Sequence, residues 1–108
     1  MAHSILEFDD RHLIISDDEL IEVLETLSEQ LEINPNENLS FLPEFLANDM
    51  VHVNGGVDPE FETHLNTNQL LNEFQTLITQ VRTDFDRPEM QRMLSNLQKL
   101  QDLVFDTD

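Results

Sequence analysis

Apolar positions recur with helical spacing in three long stretches of the chain. Between residues 16 and 33, Leu20, Leu24, Leu27 and Leu31 follow one another at intervals of four, three and four. That spacing keeps them on one face of a 3.6-residue helix. Residues 66–84 repeat the pattern with Leu71, Phe74, Ile78 and Val81; Phe85 continues it, and Leu70 and Leu77 widen the stripe. Residues 87–105 carry it through Met90, Met93, Leu97, Leu100 and Val104, flanked by Leu94 and Leu103. The connection between the last two stretches is short, which predicts an antiparallel αα-hairpin. Three amphipathic helices can bury one another's stripes. The pattern therefore predicts a mainly α fold, a small three-helix bundle forming one domain over residues 1–108. Its expected core is Leu20, Leu24, Leu27, Leu31, Phe45, Leu71, Phe74, Ile78, Val81, Met93, Leu97 and Leu100.

Boundary signals agree with the periodicity. Ser16-Asp17-Asp18-Glu19 reads as a capping box, with the Ser16 hydroxyl accepting from the third helical amide and Glu19 reaching back. Pro35 disfavours helix at Asn34 and ends the first helix. Asn66 or Thr67 caps the second. Asp86 is the expected cap of the third, with Pro88 in its first turn and Glu89 at its third position.

The shorter elements are read from turn chemistry. Residues 4–15 place two apolar segments around Asp9-Asp10-Arg11, which fits an N-terminal β-hairpin packed on the helices. Residues 34–38 are a polar loop. Residues 39–48 suit a short helix capped near Ser40, with Pro43 tolerated early. Residues 50–57 read as a strand or extended loop turning at Asn54-Gly55-Gly56. Asp58-Pro59-Glu60 signals one or two helical turns to about Leu65, Asp58 as cap and Pro59 at the first position.

The distribution of charge adds a second pattern to the apolar one. The chain has 23 acids against 5 bases, a formal −18. Residues 1–64 hold 16 acids and only Arg11, giving −15, while residues 65–108 hold seven acids and four bases, giving −3. On the first helix Asp18, Glu22, Glu25, Glu29 and Glu32 form a second row opposite the leucines, without one Lys or Arg. Asp17 and Glu37 extend it at either end. Like charges at these spacings cost ~0.2–0.5 kcal/mol per pair, so stability alone would have interleaved lysine. Natural nucleic acid and anionic membrane are poor partners for such a surface, and a basic protein is a good one.

Candidate chemistry is sparse. No cysteine is present, which excludes disulfides, thiolate metal sites and a Cys nucleophile. The only two glycines are adjacent, and no phosphate-binding loop, zinc-protease or nucleophile-elbow motif occurs. His3, His12, His52 and His64 form no pair at ligand spacing. Residues 34–38 match the start of a calcium loop superficially, but Leu39 stands where glycine is needed and Phe45 where a bidentate Glu is needed. Neither metal nor cofactor is expected, and the sequence predicts a binding protein rather than an enzyme. Met90 and Met93 read as core gap-fillers, or more sharply as an adaptable partner groove. The beginning of the chain shows no signal-peptide pattern, and its longest aliphatic run is Leu13-Ile14-Ile15; the cytoplasm is the expected compartment.

Two functional classes compete. In the first, the acidic row binds a basic nucleic-acid-binding protein and inhibits or neutralises it, as a nucleic-acid mimic, immunity protein, antitoxin or phage antagonist would. Successive acids rise ~4.5–6 Å along the axis, of the same order as phosphates along one strand. In the second, the near-neutral C-terminal hairpin docks on a partner or dimerises, making a small adaptor, assembly chaperone or regulatory subunit. Salt adaptation would also enrich acids, but nine asparagines and a patchy charge distribution fit it poorly. Monomer and homodimer both suit the pattern.

Overall fold

Residues 3–47 and 58–105 are described by the structure, a computed structural model. The chain begins with two antiparallel strands, β1 (His3–Phe8) and β2 (Arg11–Ser16), in the register Ile5↔Ile14 and Leu6↔Leu13. Alternation sorts their faces: Ser4, Leu6 and Phe8 point into the protein, while His3, Ile5 and Glu7 point out. The two-residue turn is Asp9-Asp10. Asp9 takes the left-handed conformation (φ 55°), which short polar side chains tolerate, and its amide donates to the Glu62 carboxylate.

Five helices follow among the described residues: α1 (Asp17–Ile33), α2 (Phe41–Ala47), α3 (Phe61–His64), α4 (Asn68–Asp84) and α5 (Gln91–Phe105). Single 3₁₀ turns, Glu37–Leu39 and Pro88–Met90, introduce α2 and α5. The fold is mainly α, a three-helix bundle of α1, α4 and α5 with the hairpin and the short helices packed around it. Helix α1 lies at its centre, against α2, α4 and α5. The last two helices run back on each other, so that Arg82 Nη2 meets the amide oxygens of Gln98 and, at 2.8 Å, Gln101.

The expected core is buried apart from Phe45 and Leu71, which are half-buried at its margin. Each borders a surface cleft: Phe45 beside Pro59 and His64, Leu71 beside Phe8 and Leu65. The core also takes in residues outside the three stripes. Leu6, Phe8 and Ile15 come from the hairpin, and Leu39, Phe41, Leu42, Phe61 and Leu65 from the connecting segments. Phe41 meets Phe61 edge-on (centroids 6.1 Å apart) and stacks on His64 (4.4 Å). Removing a buried leucine such as Leu24 from a core of this kind costs about 2–5 kcal/mol.

Three start signals resolve differently from expectation. Ser16 caps α1, its hydroxyl accepting from the Glu19 amide at 3.2 Å, but Glu19 does not close the box on the backbone. Its carboxylate instead accepts from the Ser16 hydroxyl (2.7 Å) and from Asn96 Nδ2 of α5 (3.1 Å). Asp58 does not cap α3. It accepts from the Glu60 amide at 2.8 Å in a local turn, Pro59 is buried, and Glu60 goes left-handed (φ 55°) before the helix begins at Phe61. Asp86 stands one residue too early, because Pro88 occupies the first position of the turn and makes Arg87 the cap. The extended segment expected at residues 50–57 lies outside the described residues.

Candidate functional site: the outer face of α1

Helix α1 presents two unlike faces because its leucines and acids follow the same period half a turn apart. Leu20, Leu24 and Leu27 are almost wholly buried, and Val23 joins them. Asp18, Glu22, Glu25, Glu29 and Glu32 are all exposed. At ~1.5 Å per residue the row spans ~21 Å along the helix axis. The buried face fixes the helix, so the carboxylates project from a rigid support.

The other two residues expected with the row stand apart from it. Asp17 is half-buried and accepts from the Ser4 hydroxyl at 2.6 Å, tying α1 to β1. Glu37 is exposed in the 3₁₀ turn that follows the helix. Asp17 thus serves the fold, and the row proper has five members.

Compensating charge is directed elsewhere. Arg11 donates to the carbonyl oxygens of Leu103 and Val104 at the end of α5, with Asp9 3.8 Å away. Arg82 is held by Gln98 and Gln101. Arg87 lies 3.5 Å from Glu89 and over the Phe85 ring. Arg92 is 3.8 Å from Glu19. Among the described residues no cation pairs with Glu22, Glu25, Glu29 or Glu32. No basic residue occupies the last turn of α1, where one would offset the helix dipole. Glu19, beside the row, is the exception. Hydrogen bonds from Ser16 and Asn96, helped by Arg92 and Lys99, hold its carboxyl below the ordinary range against the opposing effect of burial.

Two features near this face were not read from the sequence. Ile33, 63% exposed, lies one turn beyond Glu29 and ends the row on an apolar side chain. A cleft of ≈ 190 Å³ opens between the end of α1 and α4, with the Glu73 carboxylate on its rim. Glu73 Oε1 accepts from Asn36 Nδ2 (2.9 Å) and Asn38 Nδ2 (3.1 Å). These donors lie 37 and 35 residues away in sequence, so no local motif marks the arrangement. The nearest signal was the density of asparagine in residues 34–38.

Among the described residues no group of three or more His, Asp or Glu is arranged to hold a metal ion, and no helix is long and apolar enough to cross a membrane. Comparison with known protein families, curated proteins and solved structures finds no match.

Proposed function

We propose that this protein binds a basic, nucleic-acid-binding protein through the outer face of α1 and so inhibits or neutralises it. The observation that carries this reading is the five-carboxylate row on a helix locked into the core by its other face, with no pairing cation among the described residues. Such a row repels itself, and a basic surface relieves that repulsion on contact. Its spacing allows it to meet side chains that otherwise grip successive phosphates, displacing counterions as a nucleic acid does. Steering by −18 overall would speed encounter, with apolar side chains supplying selectivity. Mimicry, immunity and antitoxin roles share this physics. The docking alternative draws less support, because the stripes of α4 and α5 are largely spent inside the chain: Phe74, Ile78, Val81, Met93 and Leu97 are all buried.

The test is capture from the source organism at low and moderate salt, with the wild-type chain and with Glu22, Glu25 and Glu29 reversed to Lys. Recovery of a basic nucleic-acid-binding protein that weakens with salt and is lost with the reversal supports the reading. Recovery unaffected by both overturns it.

A further inference from the structure

We propose that the cleft between the C-terminal end of α1 and α4 is a receptor for a single arginine side chain of a bound protein. Leu31, Leu39 and Leu77 give it apolar walls, and Asn36, Gln80 and the Glu73 carboxylate line its polar side. That combination suits a long aliphatic stem ending in a cation. The carboxylate is held in place before any ligand arrives: Asn36 and Asn38 donate to Oε1, and Asn38 also approaches Oε2 at 3.3 Å. Both donors are neutral amides. They fix the group and favour its ionised form, yet leave its negative charge uncompensated, and no ion pair reaches it among the described residues. The contact at Oε2, 3.3 Å from Asn38, is the longest of the three, so that oxygen is the one a cationic donor would take.

Charge complementarity therefore selects a cation, and the surroundings select guanidinium over ammonium. Guanidinium is planar, more weakly hydrated and carries five in-plane donors. It can engage Oε2 with one edge and the Gln80 amide oxygen with another, while its stem covers Leu31 and Leu77. An ammonium would give up more hydration for a less matched geometry. The cleft lies outside the five-membered acidic row. The chemistry of the site stands on its own geometry, and only the source of the arginine, a basic protein, rests on the function proposed above.

The experiment is an amide-resolved NMR titration with N-acetyl-L-arginine N-methylamide, and with the citrulline and lysine counterparts. The expected result is saturable shifts at Asn36, Asn38, Thr76 and Gln80, weaker for lysine and absent for citrulline. Glu73→Gln should weaken binding about tenfold or more, while the triple variant E22Q/E25Q/E29Q should retain it. Should Glu73→Gln disturb the fold, Thr76→Phe, which fills the cleft from an exposed position, should abolish the same shifts. Equal binding of citrulline, survival in either cleft variant, or shifts that follow the α1 row would overturn the proposal. Because the probe is a small molecule, a negative result here is separable from failure of the α1 row to bind a basic protein.

Discussion

Arg11 Nε donates to the carbonyl oxygen of Leu103 at 2.8 Å, joining the start of β2 to the end of α5 across 92 residues. Nη2 reaches the next carbonyl, Val104, at 3.1 Å. Both acceptors lie among the last four carbonyls of the helix, which have no partners within it, and the cation sits at the negative end of the dipole. The one base of the first 64 residues thus serves as a clamp on the fold. Arg11→Ala should lower unfolding free energy by about 1.5–3 kcal/mol, the range for hydrogen bonds to charged groups. Arg11→Lys should lose less, since it keeps the charge but not the fork. Urea midpoints of the three proteins check this; an unchanged midpoint for Arg11→Ala would refute the clamp.

Gln30 lies in the interior of the bundle, wholly buried, and among the described residues neither Oε1 nor Nε2 has a hydrogen-bond partner. A buried polar group without partners costs about 1–3 kcal/mol. Gln30→Met conserves shape and removes the polar atoms, so it should raise stability by ~1–2 kcal/mol. Thermal unfolding reads the change directly, at ~4–8 °C per kcal/mol for a domain of this size. A fall in the midpoint would show that the amide contributes to the native state.

The acid limb of stability should depend on Glu19 and Glu73. Hydrogen bonds from Ser16 and Asn96 lower the first, and from Asn36 and Asn38 the second, from the ordinary value of 4.5. A carboxyl depressed in the folded state contributes stability above its unfolded value and loses it as pH falls through the folded one. Both contributions should therefore be complete above about pH 5 and disappear at lower pH. Glu19→Gln and Glu73→Gln should each reduce stability at neutral pH and flatten its decline below the ordinary carboxylate range. Chemical denaturation between pH 3 and 7 tests the slopes, and parallel curves for wild type and variants would count against the assignment.

The acidic row should oppose stability where it serves binding. Glu22, Glu25 and Glu29 take part in five like-charge contacts at helical spacing, four along the row from Asp18 to Glu32 and one between Glu22 and Glu19. Neutralising all three to Gln should stabilise the protein by roughly 1–2 kcal/mol at low ionic strength, at ~0.2–0.5 kcal/mol per contact. The gain should shrink above 0.15 M salt, where screening is stronger. The same variant should lose the basic partner. A variant no more stable than wild type in dilute buffer would mean that the repulsion is already relieved within the chain.

Much of the architecture was legible because it depends on residues near one another in sequence. The leucine period of α1, the Ser16 and Thr67 caps and the turn-like residues between the two N-terminal apolar segments are all local signals, and the structure follows them, with Arg11 opening β2 rather than lying in the turn. The acidic row was legible for the same reason, since one helix face is set by one period. What escaped depends on contacts between distant segments. Phe61 and Leu65 enter the core from a short helix that follows a left-handed Glu60, a conformation that no residue type announced. Asp17 left the row for Ser4 of β1. Glu73 looked like any acid on a helix until the fold placed Asn36 and Asn38 beside it.

The hairpin gives the charge excess a further consequence, for behaviour at high concentration. Among the described residues the sheet has two strands, both of them edges, and Ile5 and Ile14 lie paired across its outer face, 58% and 60% exposed. Unpaired strand edges beside an apolar pair are a template for self-association. At neutral pH, mutual repulsion between molecules of −18 opposes it. Near the sequence isoelectric point of 4.1 that opposition vanishes while the edges remain. The acids that suit this protein to a basic partner therefore also keep its copies apart, and the colloidal margin narrows wherever they are neutralised, by protonation, by substitution or by the partner itself.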